Sequence, residues 1–138
     1  MTKQEIIQMI NENPVMHLAT IEDNKPRVRA LALFRADEQG LIFHTASTKD
    51  LFSQLEKNNK VEACFQCQGT QIRISGEVEK IVDDNLKAEI FAHPTRKFLH
   101  AWKDHGIEQV FTIYRIKNCE AIYWTMERNF EPKEVIKF

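Results

Sequence analysis

A chain of 138 residues, 43% hydrophobic and 28% charged with a net charge of −1, suits one domain over residues 1–138 and can bury a core without metal or disulfide staples. This balance supplies no global basic field for nucleic acid, and no apolar run approaches the roughly 18 residues of a membrane span. The polar N-terminus MTKQEIIQMINENP lacks a signal-peptide core and three cysteines make a poor disulfide framework, so a cytoplasmic protein is expected.

Thr2-x-x-Glu5 reads as a capping box, followed by Ile6, Ile7, Met9 and Ile10 on one helix face, with Pro14 ending the helix. Val15 to Ile21 is strand-like, Glu22-Asp23-Asn24-Lys25-Pro26 is a turn, and Arg27 to Arg35 resumes as a strand. Asp37-Glu38-Gln39-Gly40 turns again into Leu41 to His44, so the three strands predict an antiparallel meander. Leu51, Phe52 and Leu55 mark the face of a second helix. Lys60 to Gln68 is a further strand. Gly69-Thr70 turns into Gln71 to Val82, where Ile72, Ile74 and Val78 alternate with polar residues. Asp83 to Phe91 and Thr95 to Asp104 read as helices separated by Pro94, the second placing Phe98, Leu99 and Trp102 on one face before a stop at Gly106. Val110 to Lys117 and Glu120 to Thr125 read as a last hairpin. About seven mostly antiparallel strands with a few helices predict a mainly β (α+β) fold, a small antiparallel barrel with peripheral helices.

The junction His44-Thr45-Ala46-Ser47-Thr48-Lys49 lies between a strand and an amphipathic helix. Ser47-x-x-Asp50 fits a capping box with Ser47 as N-cap. The first N–H groups of a helix have no partners inside it, and the dipole adds partial positive charge at that end. Lys49 adds a full charge, and Thr45, Ser47 and Thr48 add hydroxyls, which together make a phosphate cradle. The same residues also fit a plain capped helix with a solvated lysine.

Taken in order, "RALALF", "ADEQG", "LIFHT", "STKD", "KNNKVEACF" and "QIRISGEVEKI" resemble the pyridoxamine 5′-phosphate oxidase-like, FMN-binding split-barrel family. The likeness is carried mainly by residues 14 to 82. It implies a split β-barrel, a homodimer and FMN at the subunit interface. Arg29 would approach the phosphate or ribityl chain. Ala30 and Leu31 would lie along the isoalloxazine, and Thr45 would hydrogen-bond from its strand end. Thr48 and Lys49, with Ser47 beside them, would hold the phosphate, and Gln71 would reach a polar edge of the flavin. Phe34 stands where the oxidases have lysine, Thr48 where they have arginine, and the loop before the helix is two residues shorter. One missing charge-assisted contact costs on the order of 1.5–3 kcal/mol. The C-terminal "TMERNFEPKEVIKF" lacks the arginine-and-histidine segment that holds pyridoxal phosphate in the true oxidases, so that reaction is not expected.

The resemblance implies an FMN-dependent oxidoreductase acting on a small-molecule substrate or reductant. A non-catalytic flavin-binding or sensing protein, or a barrel holding haem or a deazaflavin, remains an alternative. No side chain stands out as a catalytic acid or base. Cys64 and Cys67 have CxxC spacing, but on a strand they point to opposite faces, which disfavours a redox pair. His93, His100 and His105 lack same-face helical spacing for a metal. His44 could lie near the flavin or simply end a strand. Trp102 reads as core, and Trp124 as core or as a flavin stack across the dimer. Arg73, Arg96 and Lys97 read as solvated faces.

Overall fold

The first turn of the chain forms where its local chemistry directs. In the structure, a computed structural model that describes residues 1–138, Thr2 Oγ1 accepts from Glu5 N at 3.1 Å. The Glu5 carboxylate in turn accepts from Thr2 N at 2.7 Å, completing the capping box of α1 (Lys3–Glu12). Asp23 and Asn24 take φ of 50° and 63°, the paired positive angles of a two-residue hairpin turn. β1 (Val15–Glu22) therefore folds back on β2 (Lys25–Ala32), with Glu22 opposite Lys25.

The strand expected from Arg27 to Arg35 is broken. Leu33 N donates to Pro14 O and Phe34 N to Ile42 O, each at 2.8 Å, so the chain changes partners between these two residues. Leu33 is drawn into the core, and β3 (Arg35–Asp37) pairs instead with β4 (Gly40–Ala46). Beyond α2 (Asp50–Lys57) come β5 (Lys60–Cys67), β6 (Thr70–Ile81), α3 (Asp84–Ala92), α4 (Phe98–Ala101), α5 (Ile107–Val110), β7 (Phe111–Trp124) and the short β8 (Ile136–Lys137). The antiparallel sheet runs β2-β1-β5-β6-β7-β4-β3, with β8 on β7. The expected meander is thus corrected: two hairpins stand at opposite ends of the sheet.

The last hairpin is also corrected, because Phe111 to Trp124 is one strand. The register with β6 jumps between Ser75/Glu120 and Glu77/Lys117, leaving Asn118 and Cys119 opposite Gly76. Asn118 takes a positive φ of 53°, and a Cβ on Gly76 would lie 2.6 Å from Lys117 O. The turn-like sequence is absorbed as a β-bulge that bends the strand without ending it.

One face of the sheet encloses a common core. Met16 and Leu18 from one end share it with Leu41 and Phe43 from the other, and Ile6 and Ile10 of α1 join them. Residues from both ends meet because the sheet curls into an open barrel. On the outer face of β4 and β7, Ile42 and Ile113 pack with Leu86, Ile90, Leu99 and Ile107 from the helical segment. Gly40, with φ of 134°, opens β4 just before its ladder with β7 begins. A Cβ there would sit 2.0 Å from Ile116 O.

The expected helix from Thr95 to Asp104 is fragmented. Pro94–Arg96 and Lys103–His105 are 3₁₀ turns flanking α4, and Gly106 takes φ of 73°. Asp83 instead caps α3, accepting from Asn85 N and Leu86 N. No helix is long and apolar enough to cross a membrane.

Candidate functional site: a double cleft at the β4–α2 junction

Ser47 does not cap the helix. Its N–H donates to Val110 O at 2.8 Å, and Lys49 N donates to Ala46 O at 2.9 Å, so Ser47 is held in the turn. α2 starts later, at Asp50, with Lys49 as an N-cap that makes no side-chain bond. The N–H groups of Thr48, Asp50 and Leu51 consequently have no partner within the chain. The exposed Lys49 ammonium takes part in no ion pair. Orphan amides and a free cation suit an anion, and this holds without the expected cap.

Two adjoining clefts open at this junction, of about 610 Å³ and about 670 Å³. Both are walled by Ala30, Leu31, His44, Thr45 and Lys49. Thr48 lines the first and Arg29 the second. The fold therefore gathers Arg29, Ala30, Leu31, Thr45, Thr48 and Lys49 at one place. Ser47 and Gln71 line neither cleft. Gln71 sits opposite Trp124 in the β6–β7 ladder, and Trp124 Nε1 donates to Asn129 Oδ1 at 2.8 Å.

Arg29 enters the site from β2, opposite Leu18, so its side chain turns to the barrel interior. Nη1 donates to Leu18 O at 3.1 Å and to Thr20 Oγ1 at 2.8 Å, and Nη2 donates to Gln54 Oε1. Gln54 Oε1 also accepts from the buried Thr20 hydroxyl at 2.6 Å. Burial lowers the guanidinium's pKa, with Asp50 and Glu22 opposing, yet the group stays charged. Nε and one Nη2 hydrogen remain free of partners within the chain.

His44 is fixed as a neutral ring. Arg96 Nε donates to His44 Nε2 at 2.9 Å, which places the imidazole proton on Nδ1. Burial, aided by the charge of Arg96, pushes its pKa down to about 4. Its ring lies 5.0 Å from that of Phe111. Histidine at a strand end thus proves to be a cleft wall held from behind.

Sequence reasoning misplaced the far wall of the first cleft. Arg96, read as a solvated face, is only 5% exposed. Trp102, read as core, is 47% exposed and meets Phe98 edge-on at 5.1 Å. Phe98, Trp102 and Arg96 all line the first cleft. Aromatic spacing of four residues signals a shared helix face in either case, and nothing local tells which side faces solvent. Cys64 and Cys67 behave as their spacing requires, Cys67 buried and Cys64 half-buried, both as free thiols.

Residues 2–125 match the family model for pyridoxamine 5′-phosphate oxidase. A pyridoxine/pyridoxamine 5′-phosphate oxidase of Psychrobacter cryohalolentis is 34% identical over 103 residues, 72% of this chain and 48% of that protein. One from Brucella anthropi is 30% identical over 116 residues, 82% of this chain and 57% of that protein. The chain spans about half the length of the curated relatives it matches. Among solved structures, a NimC/NimA family protein from Clostridium acetobutylicum superposes with a TM-score of 0.77 at 22% identity, covering 98% of this chain and 92% of that one. A pyridoxamine 5′-phosphate oxidase-related, FMN-binding protein from Nostoc punctiforme gives a TM-score of 0.67 at 17% identity, covering 96% and 88%. At these identities the likeness is one of fold, and the open barrel is the split barrel of these proteins. With the family model spanning nearly all of the sheet, the chain belongs to the pyridoxamine 5′-phosphate oxidase family.

Proposed function

We propose that residues 1–138 form one FMN-binding domain and that the protein is a flavin-dependent oxidoreductase acting on a small molecule. The observation that carries this reading is the unpaired Lys49 ammonium beside the orphan N–H groups of Thr48, Asp50 and Leu51, next to strands that already line a cleft. These groups fit a terminal phosphate, and Thr45 and the remaining Arg29 donors fit the polar chain behind it. The small side chains of Ala30 and Ala32 let a flat ring approach closely, and Leu31 adds apolar wall beside them. FMN, when bound, supplies hydride-transfer chemistry, and the protein's part is position, electrostatics and exclusion of water. His44 stays neutral there and offers Nδ1–H as a fixed donor. The Phe34 and Thr48 departures argue against pyridoxamine phosphate as substrate.

The protein acts as a homodimer in this reading. The outer face of β1 and β2 exposes Val15, Ile21 and Val28, the last 68% exposed, along with Ala30 and the half-buried Ala19. Clustered apolar residues on an uncovered sheet face suit burial against a second copy. FMN at that interface would bring the Gln71 and Trp124 end of one protomer within reach of the other's cleft.

Purified protein should carry or take up FMN with an absorption band near about 450 nm, and the released ligand should have the mass of FMN. Oxidation of NADH or NADPH with an electron acceptor then separates an enzyme from a binding protein. A band near about 400 nm, or a released ligand of another mass, overturns the FMN assignment.

A further inference from the structure

Part of the first cleft lies outside the region shared with the second, and its chemistry is distinct. Arg96 is buried there with no carboxylate partner. Nε donates to His44 Nε2 at 2.9 Å, and Nη1 donates to Thr95 Oγ1 at 3.0 Å. Nη2 donates to Leu33 O at 3.0 Å and Ala32 O at 3.4 Å. Every acceptor is neutral and the Phe34 ring faces the guanidinium at 5.3 Å, so the group is held rigidly with no counter-ion. One Nη1 hydrogen has no partner in the chain. A buried charge without a counter-ion is costly, and an anion entering the cleft would relieve it. None of the residues lining this cleft is acidic, and Lys49 and Arg96 both line it. Beside Arg96, Phe98 and Trp102 are 42% and 47% exposed and present aromatic surface to the same space.

We infer that this part of the cleft is a subsite for a planar aromatic carboxylate, with Arg96 as the specificity-determining residue and the Phe98–Trp102 pair as the ring platform. A single spare hydrogen matches one carboxylate oxygen better than a phosphoryl group, which takes several donors at once. The rings add stacking area, and a carboxylate at the buried guanidinium fixes orientation. The inference rests on the flavin reading, since it assigns the substrate end of a cleft whose other end is given to FMN.

The test uses 2-naphthoate and its neutral isostere 2-naphthamide, titrated by their own fluorescence into the FMN-loaded protein and into the flavin-free protein. FMN binding is measured separately, so loss of flavin affinity and loss of the subsite are read independently. We expect saturable binding with a preference for the acid of about tenfold or more. Arg96→Gln should abolish that preference. Trp102→Ala, at an exposed position that does not threaten the fold, should weaken acid and amide alike while keeping the acid preferred. Equal binding of acid and amide to the unaltered protein, no binding of either, or an undiminished preference in R96Q overturns the inference. Should R96Q fail to fold, the acid-to-amide ratio in the unaltered protein and in W102A still decides.

Discussion

Arg96 and His44, brought together from a 3₁₀ turn and a strand end, share one hydrogen bond of 2.9 Å in which arginine donates and imidazole accepts. This pairing requires a neutral ring, and protonation of His44 would set two cations face to face. His44 has a folded pKa of about 4 against an ordinary value of 6.5. Between these values the unfolded chain binds the proton and the folded one refuses it. The stabilisation is therefore complete above pH about 6.5 and is lost as pH falls towards 4, by on the order of 3 kcal/mol. Urea midpoints measured across this range should fall with acidity. His44→Gln keeps an acceptor but cannot titrate, so its profile should be flatter by that amount. Identical slopes for both proteins would remove His44 as the cause.

The Lys49 side chain is exposed and holds nothing within the chain. Lys49→Ala should leave the thermal midpoint nearly unchanged and weaken FMN binding roughly ten- to a hundredfold, the loss of one charge-assisted contact. Flavin fluorescence titration with a melting curve checks both halves. Unaltered affinity would sink the phosphate assignment.

Gln54 links α2 to β1 and β2 by accepting from both Thr20 and Arg29. Gln54→Ala strands a buried hydroxyl and part of a guanidinium. A destabilisation of about 1–3 kcal/mol is expected in chemical denaturation. A cost well under about 1 kcal/mol would mean that solvent replaces the lost acceptor.

At Gly40 both the positive φ and the nearness of Ile116 O forbid a side chain. Gly40→Ala should cost about 3 kcal/mol or more, read as a lowered urea midpoint, because the clash is with the β7 backbone where the β4–β7 ladder begins. A near-native midpoint would show that β4 and β7 can separate there without penalty.

Val28 is mostly exposed on the outer sheet face and contributes nothing to the core. Val28→Glu should convert dimer to monomer in light scattering while leaving the monomer's fold intact in circular dichroism. A dimer that persists unchanged would place the interface elsewhere.

What could be read before folding was what depends on neighbours in sequence. The Thr2–Glu5 box and the Asp23-Asn24 turn are short-range chemistry, and each forms in place. Alternation over Ile72, Ile74 and Val78 predicted their burial for the same reason. The failures lie where a distant group decides. Ser47 loses its cap because Val110 O, from the far end of the helical segment, takes its N–H. Asn118 looks like a turn until β6 supplies a glycine opposite it. Arg96 reads as solvent-facing until the carbonyls of Ala32 and Leu33 are beside it. The ordered motifs bring Arg29, Thr45 and Lys49 to the near wall of the clefts because these residues lie on segments joined by short loops. Gln71 belongs to another part of the sheet and lines neither cleft.

The long strand Phe111–Trp124 sets the order in which the molecule can be made. β6 and β4 both wait for it: Ala46 has no ladder partner until Phe111 emerges, and Ile81 none until Ile113. A nascent chain that has passed only the helical segment carries two raw strand edges flanked by apolar residues, open to pairing with any other chain. Closure over such long loops is slow, in the millisecond-to-second range of β-rich topologies. β7 therefore acts as a late-arriving latch, and mutations that weaken it should show first as poor yield of folded protein during synthesis rather than as altered ligand affinity.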